Sequence, residues 1–301
     1  MAASKRIVVF GGSGFLGSRI CRAAVARNWD VTSVSRHGAP HWSSITSSPS
    51  PPSWSHAVSW ERADIFRPAQ WISLLHGADY VVHTMGILLE ADYKGVISGR
   101  ESPISGLRKA FNPAKGAQSP NPLDRVRQRG GDPKTEDAAA GVEPPPSPAQ
   151  LTYEMMNRDS AILLAKEAAK EGVKAFGFVS AAGGAPVLPS RYITTKREAE
   201  AVVAREFPEM RGVFFRPPFM YDQSRKATVG LAAIVSAGSL VNGLTGGVLG
   251  GFLGTAVTKP LKVDLVADAV VEALADESVK GPVEVPELEE LANRAWRKTM
   301  L

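Results

Sequence analysis

Cysteine is almost missing from this 301-residue chain: Cys21 stands alone, which excludes an internal disulfide and any cysteine-rich metal site. No metal site is expected, and a reducing or matrix compartment fits best. A charge stripe of one sign is missing as well. The 35 Lys and Arg against 30 Asp and Glu give a formal charge of +5, scattered along the chain, so nucleic-acid binding is not expected. A mildly basic chain suits the mitochondrial matrix or an anionic membrane surface. "MAASKRIVVFGG" passes from Lys5 and Arg6 straight into an apolar strand, leaving no room for a secretory signal's apolar core and cleavage site. Entry into an organelle is therefore expected through a removed presequence or an internal signal. No internal repeat is seen, and a 44% hydrophobic, 22% charged composition is that of a soluble globular protein with a sizeable core.

What is present alternates strand and helix. "RIVVF" reads as a buried strand, "GFLGSRICRAAVARN" as a helix and "DVTSVSR" as a second strand. After a Ser/Pro-rich loop from His37 to Ser55 come the strand "AVSWERADI", a helix around "PAQWISLLHGA" and the strand "DYVVHTMGI". "TYEMMNRDSAILLAKEAAKEGVK" reads as a helix by its three- and four-residue apolar spacing. It is followed by the strand "AFGFVSA", the helix "ITTKREAEAVVAREF" and the strand "RGVFFRPPFM". This order predicts an α/β fold, a Rossmann-type doubly wound parallel sheet, with a small C-terminal substrate-side region.

The expected domains are a dinucleotide-binding unit over 1–225 and a C-terminal region over 226–301. Residues 100–150, rich in Gly, Pro and charge, read mostly as a flexible insertion. No charge occurs from 227 to 258. That stretch reads as a buried helix followed by a loose Gly-rich loop, ahead of a segment resting on a membrane or partner, or a spanning helix. "VDLVADAVVEALADE" and "PELEELANRAWRKTM" predict two terminal helices with "GPVEV" in the connection.

The first turn is "FGGSGFLGSRI". Gly12, Gly14 and Gly17 satisfy GxGxxG, and Gly11 extends the pattern to GxxGxxG. Glycine suits a tight strand-to-helix turn whose backbone must approach a pyrophosphate, so Gly11, Gly12, Ser13, Gly14, Phe15, Leu16 and Gly17 are candidate cofactor contacts. The second strand ends in Ser35 and Arg36 where NAD-binding chains carry an acid, so NADP(H) is favoured over NAD(H). Asp64 and Ile65 lie where adenine is usually lined, with a helix N-cap as the alternative for Asp64. Met85 and Gly86 follow the fourth strand, and His83 before them is expected to pack.

Tyr192 precedes Lys196 by one helical turn, and Ser180 ends the strand twelve residues earlier. A phenol is a poor base near neutrality, and an adjacent ammonium together with a nicotinamide cation would lower its pKa, while a serine hydroxyl holds the substrate oxygen. An ordinary amphipathic helix is the alternative.

Taken with "ADIF", "EGVKAFGFVSA", "YITTK" and "RPPFMYD", these motifs resemble the short-chain dehydrogenase/reductase superfamily in its NAD-dependent epimerase/dehydratase-like branch. The resemblance implies that Asn157 supports the active-site lysine and that Arg216 and Pro217 shape the pocket's substrate side. "HTMGILLE", "NPL", "TYEMMN" and "PSRYITTKREAE" are further similar to fungal mitochondrial proteins of coenzyme Q (ubiquinone) biosynthesis, related to the Rossmann-type accessory subunits of respiratory complex I. That implies a matrix protein peripheral to the inner membrane, partnered by ubiquinone-biosynthesis proteins or a respiratory assembly, with a lipid or quinone as ligand. "SAAGGAP" lacks the branch's run of serines, which argues against sugar-nucleotide chemistry. Two functions stay open: an NADP(H)-linked oxidoreductase, and a nucleotide-holding subunit without catalysis.

Overall fold

A computed structural model describes residues 4–46, 48–86, 121–128, 130, 132, 152–183, 190–222 and 259–300. The uncharged stretch 227–258 and most of the 100–150 insertion lie outside these residues.

The strands are β1 (Arg6–Phe10), β2 (Asp30–Ser35), β3 (Val58–Arg62), β4 (Tyr80–His83), β5 (Ala175–Val179), β6 (Arg211–Phe215), β7 (Met220–Tyr221), β8 (Leu261–Lys262) and β9 (Gly281–Val283). Seven form a parallel sheet in the order β3-β2-β1-β4-β5-β6-β9, and β7 pairs with β8 apart from it. The order reverses between β1 and β4, where Ile7 faces Tyr80 and Phe10 faces His83. Open α/β sheets bind ligands just beyond the strand ends at such a point.

The helices are α1 (Gly17–Val25), α2 (Trp42–Ile45), α3 (Pro122–Gln128), α4 (Ser160–Lys170), α5 (Ser190–Glu206), α6 (Val263–Ala275) and α7 (Val285–Thr299). Strand periodicity assigns them to two faces. Ile7 and Val9 of β1 join Ile20, Cys21 and the apolar stripes of α6 and α7, whereas Val8 and Phe10 join Ile162, Ala165 and Val203 on α4 and α5. Each fully buried Val, Ile or Leu contributes about 1.5–3 kcal/mol, so the central strands, covered on both faces, are the most strongly fixed part. Among the described residues no helix is long and apolar enough to cross a membrane.

Four local features differ from the sequence reading. "PAQWISLLHGA" forms two short 3₁₀ turns, Pro68–Gln70 and Ile72–Leu75, because Trp71 breaks off to bury its ring and donates from Nε1 to the carbonyls of Asp64 and Ile65, both at 3.1 Å. "GPV" is the sheet's edge strand β9, not part of a connection. The last helices cover the sheet face shared with α1, not a substrate side. Within the insertion, Pro122–Gln128 is helical: Asn121 Oδ1 accepts the N–H groups of Leu123 and Asp124, while Leu123 and Val126 are buried.

Candidate nucleotide-binding site

A cavity of about 820 Å³ is lined by the segments that leave β1, β2, β3, β4 and β5, together with one face of α5. Its floor is the glycine turn. Gly11 has φ +83°, and a Cβ there would stand 2.6 Å from Thr84 Oγ1. Gly17 brings α1 so close that a Cβ would lie 2.3 Å from the Gly11 carbonyl oxygen. The helix therefore starts hard against the end of β1. No side chain caps it and its first turn holds no acid, leaving its N-terminal dipole open to an anion. Arg19 anchors the turn from behind, ion-paired with Asp222 and donating to the Ile45 carbonyl at 2.6 Å.

Of the sequence-predicted residues, Gly11, Ser13, Gly14, Phe15, Leu16, Ser35, Arg36, Asp64, Ile65, Met85, Gly86, Ser180, Tyr192 and Lys196 all line this cavity. Gly12 packs beneath it, where a Cβ would meet Ser33 Oγ at 2.3 Å. Asn157 is fully buried behind the wall, on a wide π-helical turn, Glu154–Asp159, that leads into α4. A Cβ on Gly86 would fall 2.9 Å from Asn157 Oδ1 and 3.3 Å from Lys196 Nζ, so the chain leaving β4 lies directly over this pair. Arg216 and Pro217 lie outside the lining. Arg216 pairs with Glu200 and Glu284, and the Pro217 carbonyl accepts the Ala182 N–H at 2.8 Å.

The charged groups are set by burial. Lys196 donates from Nζ to the Val179 carbonyl at 2.8 Å and stands 5.7 Å from the centre of the Tyr192 ring. Burial pushes its pKa down from 10.5 to about 7 against the pull of Glu200. The Tyr192 phenol is pushed up to about 12, again by burial. Lys196 does not counter this on its own, because the lysine is itself desolvated and donates to Val179. Near neutral pH the phenol keeps its proton and is arranged as a donor. Ser180 Oγ accepts from Arg197 Nη1 at 2.8 Å, leaving its own hydrogen free to turn toward the cavity.

His83 packs, as its position suggested. Its Nε2 donates at 2.9 Å to Ser160 Oγ, which in turn donates to the Met156 carbonyl at 2.8 Å, and burial holds its pKa down at about 3. Sequence reasoning missed Thr84, His37, Arg67, Met156 and Met220 in the lining and Arg197 behind Ser180. Arg67 follows "DIF" directly, the one case with a usable signal.

The order of the sheet, the glycine turn and the cavity define a Rossmann-type nucleotide-binding fold, and the chain belongs to the NAD dependent epimerase/dehydratase family, whose model matches residues 7–92. Within it the chain is 37% identical over 236 residues to MIOREX complex component 2 of Saccharomyces cerevisiae, covering 74% of this chain and 75% of that protein. An uncharacterized chloroplastic protein of Arabidopsis thaliana is 42% identical over 83 residues, 28% of this chain and 25% of that one. Among solved structures, the UDP-Glc/GlcNAc 4-epimerase of Campylobacter jejuni shares the fold at 16% identity and a TM-score of 0.51, covering 95% of this chain and 82% of that chain. The UDP-glucuronic acid 4-epimerase of Bacillus cereus, solved with NAD, does so at 13% and 0.50, covering 93% and 78%.

Proposed function

We propose that this cavity binds NADP(H) in preference to NAD(H), and that the protein is an oxidoreductase acting on a lipophilic carbonyl or quinone precursor in ubiquinone biosynthesis. The observation that carries the reading is the convergence of Ser180, Tyr192 and Lys196 on the cavity that the glycine turn opens. The turn's shape fits a dinucleotide: its glycines leave no Cβ in the way, and α1 presents an uncapped N-terminus. The backbone of Gly14 to Leu16 would hold the pyrophosphate, Ser35 and Arg36 the adenosine ribose, Asp64 and Ile65 the adenine, and Met85, Gly86 and Lys196 the nicotinamide half. The dinucleotide, when bound, supplies or accepts a hydride. Tyr192 Oη gives the proton to the substrate oxygen, a role suited to a phenol that burial keeps protonated. Ser180 Oγ orients the same oxygen, held by Arg197. Lys196, with Asn157 behind it, would add positive charge beside the phenol when bound nucleotide phosphate keeps it protonated. Arg216 acts from outside, through Glu200.

A mitochondrial location, on the matrix side and peripheral to the inner membrane, agrees with the mildly basic chain and with an organellar relative, the chloroplastic plant protein. Purified protein given NADPH and ubiquinone precursors should turn over, and Tyr192→Phe should abolish turnover while retaining nucleotide binding. Undiminished turnover in that variant rejects the mechanism.

A second reading, a nucleotide-holding subunit of the ubiquinone-synthesis or respiratory assembly, is favoured by the yeast relative's name as a complex component. Under it, Tyr192→Phe leaves ubiquinone levels unchanged while Gly14→Trp lowers stability or assembly.

A further inference from the structure

Beyond Arg36, Arg67 is a second arginine on the adenosine side of the cavity, and it has no role in the scheme above. Arg67 leaves the loop after β3 and lines the same cavity as Arg36, which leaves the end of β2. The two strand ends are adjacent: Ser35 is in register with Arg62, and the Ala63 N–H donates to the Ser35 carbonyl at 3.0 Å. The backbone at both arginines is fixed. Arg62 Nε donates to the Arg36 carbonyl at 3.1 Å. On the other side, Asp64 Oδ1 accepts the Phe66 N–H at 3.1 Å, the Arg67 N–H donates to the Asp64 carbonyl at 2.9 Å, and Trp71 Nε1 grips the same carbonyl.

The side chains contrast with this framework. Among the described residues neither the Arg36 nor the Arg67 guanidinium is in an ion pair, although most other arginines of the described chain are paired with a carboxylate. The rim also offers little to a bare ribose. No acid ends β2, and the Ser35 hydroxyl donates to the Gly38 carbonyl at 2.8 Å. Asp64 Oδ1 accepts the Phe66 N–H within its own turn. Two cations without a counter-charge, extending from adjacent segments of fixed backbone at the edge of a nucleotide-sized cavity, suit a compact dianion better than a neutral diol.

Resting on the dinucleotide reading above, we propose that Arg67 is the second arm of a phosphomonoester subsite, closing with Arg36 on the 2'-phosphate of NADP(H). Arg67 then determines specificity, because it is reached only by a nucleotide carrying that phosphate.

The test is equilibrium binding of NADP⁺ and NAD⁺, and of the fragments 2',5'-ADP and 5'-AMP, by calorimetry, with no turnover needed. The unaltered protein should bind the 2'-phosphorylated member of each pair more tightly, with an affinity that falls more steeply as salt rises. Arg67→Met should weaken NADP⁺ and 2',5'-ADP roughly tenfold to hundredfold and leave NAD⁺ and 5'-AMP within about twofold. Arg67→Gln is the companion variant, retaining a polar side chain at this exposed position should the Met variant fold poorly. Equal weakening of both nucleotides would mean that Arg67 only supports the adenine pocket, and would overturn the proposal. So would no weakening of either, or a preference for NAD⁺ in the unaltered protein; in those cases dinucleotide binding itself stands. If the unaltered protein binds none of the four ligands, the dinucleotide reading fails and this inference falls with it.

Discussion

Replacing Lys196 by Met should make the nucleotide-free protein more stable at neutral pH. In the folded chain the ammonium is given up near pH 7, whereas an unfolded lysine holds it to about 10.5. Above pH 10.5 the side chain is neutral in both states and no penalty arises. As pH falls from there to 7, the unfolded chain takes up a proton that the folded chain refuses, so stability drops; below 7 both carry it and the penalty is constant. At 1.36 kcal/mol per decade the full penalty is roughly 4–5 kcal/mol. Against it stands the hydrogen bond from Nζ to the Val179 carbonyl, whose loss leaves a buried acceptor at a cost of about 1–3 kcal/mol. The net expectation is a gain of about 2 kcal/mol at pH 7 that vanishes or reverses by pH 10. Urea denaturation of both proteins across pH 6.5–10.5, without nucleotide, measures it. A variant less stable than the parent by the same amount at every pH would refute the argument, since Lys196 would then be a structural residue with no titration linked to folding.

Two further changes probe the frame of the site. Gly17→Ala puts a methyl 2.3 Å from the Gly11 carbonyl oxygen and should cost about 1–3 kcal/mol while abolishing nucleotide binding, read by thermal denaturation and calorimetry. Trp71→Ala empties a fully buried site beside Phe10, whose ring is 5.0 Å away, and frees the carbonyls that shape the Asp64 turn. A loss of about 3–5 kcal/mol is expected, together with weaker binding of 5'-AMP; full retention of that affinity would show that the turn holds its shape without the tryptophan.

The sheet was legible because its central strands are buried on both faces and so read as unbroken apolar runs, as in Ile7–Phe10 and Ala175–Val179. Strand β9 was not, since three residues containing Gly281 and Pro282 give no periodic signal, and only pairing with β6 makes them a strand. Helix α3 was hidden for a similar reason. Leu123 and Val126 are a single apolar repeat, and the pairs Arg125–Asp159 and Arg127–Glu206 that seat the helix join residues far apart in the chain. In the site, sequence could place residue types at strand ends but not aim them. Arg216 and Arg36 are both arginines just past a strand, yet one turns to Glu200 and the other lines the cavity. Spacing could bring Tyr192 beside Lys196, but not say that burial would outweigh their attraction.

That last outcome follows from a chain of charges running away from the cavity. Glu200 is the carboxylate best placed to keep Lys196 charged, but it is shared by Arg197 and Arg216, and Arg216 also reaches Glu284 at the start of α7. With its negative charge so divided, Glu200 cannot offset the burial of the lysine. The same deficit appears at two other places on the wall: an uncapped helix N-terminus at the glycine turn, and two unpaired guanidiniums at the adenosine edge. Three separated parts of one cavity thus each favour added negative charge, and an elongated polyanion is the kind of ligand that satisfies all three at once. Binding such a ligand should raise the pKa of Lys196 toward its ordinary value, and the recovered ammonium would then stand beside Tyr192 with the charge that burial alone denies it.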